Sequence, residues 1–193
     1  MRTEKKQLRT LLRGRRKSLS PAEVTEKSRH ITQQIFSFSF FHRASTIVLY
    51  NADDNEVVTE AIWLEALKRG KAVYYPRIAE DRANLEFVRR SPTARLIPGT
   101  FGILIPPGDE ILPHLQTSDV VFTPGVGFDR KGHRLGRGKG YYDRAFRRVL
   151  AGALRVALAY ECQIVPEIPS GPDDEQMQWI VTEEQMIECS TNP

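Results

Sequence analysis

Late in the chain, residues 127–144 read GFDRKGHRLGRGKGYYDR and bring together five glycines, six Lys or Arg, two Asp and a Tyr pair. These residue types suit anionic oxygens. Glycine lets the backbone approach a ligand and take positive φ, a guanidinium fork pairs with two oxygens at once, and a lysine adds a point charge. Gly136, Gly138 and Gly140 supply the first property; Arg134, Arg137 and Lys139 supply the others. Asp143 follows one turn into an expected helix, where a carboxylate can hold Mg2+ that bridges phosphate oxygens. Two better-known phosphate loops do not fit. A G-x-x-x-x-G-K-S/T loop needs glycine at position 133 and Ser or Thr at 140, where this chain has His133 and Gly140. A dinucleotide-binding G-x-G-x-x-G turn carries neither this much positive charge nor so late a place in the chain. The four histidines, at 30, 42, 114 and 133, show no metal-ligand spacing, and His133 reads as a solvated loop residue.

Elements able to position this stretch are legible around it. A basic helix with Leu8, Leu11 and Leu12 on one seam is expected over residues 4–16. Ser20, Pro21 and Glu23 form an N-terminal capping signal for a second helix to about residue 37, with Val24, Ser28, Ile31 and Ile35 facing inward. A strand over 44–50, a helix over 57–69 closed by Gly70 and a strand over 71–76 make a βαβ unit, which favours parallel pairing. Further strands are expected at 85–88, 119–123, 154–160 and 179–182, with a turn-rich connection over 97–113, a helix over 141–150 and a loop over 166–172. The expected fold class is therefore α/β: one domain over 1–193, an open and mainly parallel sheet flanked by helices in Rossmann-like layers. In such a sheet, ligands collect where a strand end leads into a helix, and the glycine-rich stretch occupies such a junction.

Charge is uneven. Residues 1–17 carry eight Lys or Arg against Glu4, residues 129–148 carry eight against Asp129 and Asp143, and the rest carries 12 against 21 acidic residues. Two basic segments on an acidic body point to a local anionic partner of small size rather than to nucleic acid, which more often meets a basic face. No apolar run is long enough to span a bilayer, and Cys162 and Cys189 lack metal or disulfide spacing, so a cytoplasmic protein with two free thiols is expected, without a membrane partner.

The same stretch resembles the signature of the 5-formyltetrahydrofolate cyclo-ligases along its whole length. KKQLR at 5–9, NEVVT at 55–59, YYPR at 74–77, FGI at 101–103 and IVT at 180–182 extend the resemblance over most of the chain. It implies an enzyme that uses ATP and Mg2+ to convert 5-formyltetrahydrofolate to 5,10-methenyltetrahydrofolate, releasing ADP and phosphate, through phosphorylation of the formyl oxygen. Such phosphoryl transfer is chiefly positioning and charge neutralisation, so the lack of a Ser-His-Asp or Cys-His set is no obstacle. By the resemblance, ATP is met by Lys5, Lys6, Gln7, Leu8 and Arg9, and by Arg134, Leu135, Gly136, Arg137, Gly138, Lys139, Gly140, Tyr141 and Tyr142. The folate is met by Arg9, Asp53, Glu56 and Val58 with Arg137, Gly138, Lys139, Gly140 and Tyr141, and Mg2+ by Asp143. One tyrosine of the pair is expected to anchor the helix while the other faces a ligand ring, and Arg77 is read as either a ligand contact or a structural ion pair. A monomer or weak dimer is expected.

Three positions depart from the family pattern. The second acid of the segment after the first strand is Val58, a metal-linked carboxylate near the C-terminus falls at Gln178 with Asp173 and Asp174 nearby, and a polar position before Pro106 is Ile105. The alternatives left by these departures are a protein that binds ATP and folate with weak or no turnover, or a nonenzymatic nucleotide- or nucleic-acid-binding protein.

Overall fold

The computed structural model describes residues 1–112 and 115–189, without the side chain of Phe101; Pro113, the end of the turn-rich connection, and His114 lie outside the described residues. The chain opens with α1 (Arg2–Lys17), α2 (Pro21–Ser37) and α3 (Ser39–Arg43), and then enters the sheet at β1 (Thr46–Val48). After α4 (Glu60–Lys68) come β2 (Ala72–Ile78), β3 (Leu85–Arg89) and a small ribbon of β4 (Ile97–Pro98) and β5 (Leu104–Ile105). The second half holds β6 (Val120–Thr123), β7 (Gly127–Asp129), β8 (Arg134–Leu135), α5 (Tyr141–Phe146), β9 (Leu154–Leu158), β10 (Ile164–Val165), β11 (Trp179–Val181) and β12 (Met186–Glu188).

Seven strands form one sheet in the order β12-β11-β9-β6-β1-β2-β3. Its five inner strands are parallel, and the two edges, β3 on β2 and β12 on β11, are antiparallel. The open, mainly parallel sheet expected from the sequence is present. Period-two alternation decides the layers. Ile47, Val73, Val120 and Val156 pack with Ile31 and Ile35 of α2, Phe40 and Phe41 of α3, and Ile62 and Ala66 of α4. Their neighbours Val48, Tyr74, Val121 and Ala157 turn to the other face, toward Phe128 of β7 and Ala145 and Phe146 of α5.

Several boundaries differ from the sequence reading, each for a tertiary reason. Leu11 is 52% exposed, and the buried seam of α1 runs instead through Leu12 to Arg16, both at most 1% exposed. Helical spacing of four carries the seam across a charged residue because Arg16 finds partners inside: Gly125 O at 3.1 Å and Asp54 Oδ2 at 2.9 Å. The helix expected from residue 57 begins at Glu60, because the groups before it are bonded elsewhere: Val58 N donates to Ser28 Oγ and Thr59 Oγ1 to Tyr50 O at 2.7 Å. Likewise the helix expected to residue 150 stops at Phe146, where Leu150 N reaches back to Ala145 O and converts the continuation into turns. Antiparallel β12 lies beyond any strand expected from the sequence.

The capping box of α2 forms as expected, with Glu23 N donating to Ser20 Oγ and Ser20 N to Glu23 Oε2. No helix among the described residues is long and apolar enough to cross a membrane. Cys162 is half-buried, Cys189 is buried, and both are free thiols.

Candidate functional site

A cavity of about 520 Å3 opens at the carboxyl ends of β1, β2 and β6. The chain after β6 does not run directly into a loop. It first makes an antiparallel hairpin, β7 and β8, turning at Gly132 (φ +90) and flanked by β10. Leu12 of α1 packs against this hairpin so closely that a Cβ on Gly127 would lie 2.2 Å from its Cδ1. Glycine there lets the N-terminal helix dock, which carries Lys5 and Arg9 onto the cavity wall.

The hairpin delivers residues 136–140 to the cavity. Their alternating glycines seat arginines: an added Cβ would meet Arg134 Nη1 at 2.8 Å on Gly136, the Arg9 guanidinium at 3.4 Å on Gly138 and Arg144 Nη1 at 2.9 Å on Gly140. Arg9 Nε also donates to Gly136 O at 2.8 Å, so the first helix and the loop are one unit. Because α5 has six residues, the positive field here comes from these side chains more than from the helix dipole anticipated at the strand-to-helix junction.

Two carboxylates, Asp143 and Asp174, line the cavity with Arg134. Asp143 Oδ1 accepts from Arg134 Nη2 at 3.0 Å and from Glu175 N at 3.4 Å. Asp174 Oδ2 accepts from Lys5 Nζ at 2.5 Å and from Gly171 N at 2.8 Å. Burial opposes ionisation of Asp174, but the Lys5 and Gly171 bonds outweigh it, with help from the Arg134 charge, and hold the carboxyl below its usual range. Of the two acids expected beside Gln178, Asp174 is the one that lines the cavity. Gln178 lies just before β11, where its Oε1 accepts from Arg155 N, and Asp173 pairs with Arg147 at the surface. Two hard oxygen donors beside a phosphate-sized space suit Mg2+, which usually keeps waters and takes one or two carboxylates plus phosphate oxygens. No group of three or more His, Cys, Asp and Glu gathers among the described residues.

On the third side lies the segment after β1. Glu56 lines the cavity, and Arg137 Nη2 meets its Oε1 at 3.0 Å while Nη1 meets Asp53 Oδ2 at 2.9 Å. Burial pushes the Glu56 carboxyl up, against the pull of Arg137 and Arg16. Val58 is 41% exposed and lines, with Asp53, a separate side cavity of about 240 Å3.

The remaining expected residues divide. Lys5, Arg9, Glu56, Arg134, Arg137, Lys139, Asp143 and the glycines between them converge on the main cavity. Lys6 and Gln7 are exposed and off it, and Leu8 packs with Leu12 beneath it. Leu135 lines the cavity while nearly all of its surface is buried in that same cluster. Both tyrosines line it. Tyr142 packs 6.0 Å from Phe146 with its hydroxyl buried and unpartnered, and Tyr141 donates from its hydroxyl to Arg82 O. Arg77 lines the cavity as part of an ion pair with Glu86, Nη2 to Oε2 2.8 Å.

His133 is not solvated as expected. Its Nδ1 lies 2.8 Å from Asp129 Oδ2, on a carboxylate with no exposed surface that also accepts from Ile168 N. Ile105 and Gly99 of the small ribbon complete the cavity. Sequence reasoning read that ribbon only as a connection; its Pro and Gly spacing marks turns without saying which surface they cover.

Comparison with known proteins adds to this geometry. The profile of the 5-formyltetrahydrofolate cyclo-ligase family matches residues 1–183. The chain is 32% identical over 190 residues to the mouse 5-formyltetrahydrofolate cyclo-ligase, covering 93% of this chain and 94% of that protein. It is 34% identical over 175 residues to the Haemophilus influenzae 5-formyltetrahydrofolate cyclo-ligase, covering 88% and 93%. The solution structure of the Aquifex aeolicus 5,10-methenyltetrahydrofolate synthetase superposes with a TM-score of 0.83 at 30% identity, over 98% of this chain and 94% of that one. A profile match over residues 1–183 and a shared architecture lead to one conclusion: the chain belongs to the 5-formyltetrahydrofolate cyclo-ligase family.

Proposed function

We propose that this protein converts 5-formyltetrahydrofolate to 5,10-methenyltetrahydrofolate with consumption of ATP, in the cavity between residues 134–143, α1 and the segment after β1. The observation that carries the reading is the convergence of Lys5, Arg9, Arg137 and Lys139 with Asp143, Asp174 and the buried Glu56 on one space. The ATP phosphates lie along residues 136–140, within reach of Lys139 and the Arg9 guanidinium. Asp143 and Asp174 hold Mg2+, which supplies charge neutralisation at the phosphates when bound. The folate lies toward Glu56 and Tyr141, with its formyl group directed at the terminal phosphate.

In the proposed reaction the formyl oxygen attacks the γ-phosphorus, the bond from phosphorus to the ADP oxygen breaks, and an imidate phosphate forms on N5. The N10 nitrogen then adds to the activated carbon and gives up its proton, and breaking of the carbon–oxygen bond, with phosphate leaving and carrying that proton away, leaves the methenyl bridge. No protein nucleophile takes part. The loop's contribution is to align the two ligands and to spread the charge that develops on the transferred group, which is where such enzymes gain most of their rate. Arg134 and Arg137 pair with carboxylates and Arg9 is bonded to Gly136 O rather than forming an open basic face, which favours small anionic ligands over nucleic acid.

The test follows the absorbance of 5,10-methenyltetrahydrofolate after mixing protein, MgATP and 5-formyltetrahydrofolate. Turnover is expected with wild type, and Lys139→Ala is expected to lower kcat/KM by about 100-fold or more. Absence of turnover, or a Lys139→Ala variant as fast as wild type, overturns the reading.

A further inference from the structure

The two halves of the cavity share one cation. Arg137 belongs to the loop, yet its guanidinium reaches across to Asp53 and Glu56 at 2.9 and 3.0 Å. Glu56 is 7% exposed. Its other cation among the described residues is Arg16, whose Nη1 stands 3.7 Å from the same oxygen and which is already bonded to Asp54 and Gly125 O. A buried carboxylate that loses a guanidinium must find other donors. Arg137 also sits between Gly136 and Gly138, inside the row of cations that a polyphosphate would draw upon.

We propose that Arg137 is a shared cation through which the nucleotide and folate sites are coupled. Phosphates draw Arg137 from Glu56 and Asp53, and the pterin ring then replaces it at Glu56. The inference rests on the ATP and folate reading above. A reduced pterin carries an exocyclic amino group beside a ring N–H, two adjacent donors that meet a carboxylate as a guanidinium does. Nucleotide binding alone leaves Glu56 buried without that partner. Folate binding alone displaces a guanidinium that has no phosphate to receive it. Each ligand removes what opposes the other, so the coupling is positive and, by linkage, equal in both directions. Glu56 thereby acts on the nucleotide site as a positioning residue, through Arg137.

The experiment is calorimetric titration of the full chain with a nonhydrolysable ATP analogue plus Mg2+ and with 5-formyltetrahydrofolate, each alone and with the other saturating. Each ligand is expected to bind at least about fivefold more tightly when the other is present. In Glu56→Gln the analogue alone is expected to bind more tightly than to wild type, because Arg137 is released, and the coupling factor falls toward one. A merely structural role for Glu56 would weaken analogue binding or leave it alone. Asp53→Asn, at a half-exposed carboxylate, is expected to give the same rise in smaller measure and decides the matter if Glu56→Gln does not fold. Ligands that bind wild type independently, or variants that bind the analogue no better, overturn the coupling while leaving the two-ligand reading intact. An analogue that does not bind wild type overturns both.

Discussion

The two walls of the cavity are held in shape by different means. Residues 134–143 are shaped mostly by their own stretch: a hairpin, then alternating glycines, with a guanidinium seated on each bare Cα, from Arg134 and Arg144 within or beside the stretch and from Arg9 of α1. The segment over 50–59 is shaped by partners from elsewhere. Asp54 and Asn55 adopt left-handed φ of 55 and 57, Asn55 Nδ2 donates to Arg16 O and Leu19 O, and Ser28 of α2 accepts from Val58 N. A wall of the first kind is written in the spacing of its own residues and fails when one of them gains an atom. A wall of the second kind tolerates change at its own exposed positions and fails when a distant partner is lost.

Four substitutions test that contrast, from the largest effect to the smallest. Asp143→Asn removes the loop's own carboxylate and leaves Arg134 without its ion pair, so kcat/KM is expected to fall by about 10^3, roughly 4 kcal/mol of transition-state stabilisation. The assay with MgATP checks it, and a fall under tenfold would mean that Asp174 carries the metal alone. Gly138→Ala adds a Cβ at φ +96 and 3.4 Å from the Arg9 guanidinium, whereas Gly70→Ala adds one at φ +69 with nothing within 4 Å. Both are expected to cost about 1–3 kcal/mol in backbone strain, read as a lower Tm, but only Gly138→Ala is expected to lower kcat/KM, by about tenfold. Equal activities in the two variants would show that the seat of Arg9 is dispensable. Val58→Glu restores an acid at an exposed position outside the main cavity; stability within about 0.5 kcal/mol of wild type and a KM for 5-formyltetrahydrofolate within about threefold are expected. A large drop in KM would move the folate toward the side cavity.

The same contrast explains what could be read before the structure. The parallel core, the capping box of α2 and the glycines at 138 and 140 depend on period, local hydrogen bonding and positive φ, and all are visible in short windows of sequence; Gly136, expected with them, does not take positive φ. The inward turn of Arg16 was not visible, because a charged residue at a seam position is buried only when distant acceptors such as Gly125 O and Asp54 wait for it. Asp174 was one of several acids near the C-terminus until Lys5, 169 residues away, selected it. The start of α4 was misplaced for a similar reason: Val57 and Val58 suit a helix by pattern, but the Thr59 hydroxyl is bonded to Tyr50 O.

The Lys5 contact with Asp174 has one more consequence. The site's boundary is stitched from residues 169 positions apart, so no short contiguous fragment of the protein contains it. Ligand occupancy should therefore register in amide hydrogen exchange as protection of α1 and of residues 171–176 together, slowing the fraying of a terminal helix as much as the opening of the sheet. A bound nucleotide would then serve as a clasp, closing the molecule where α1 meets residues 171–176.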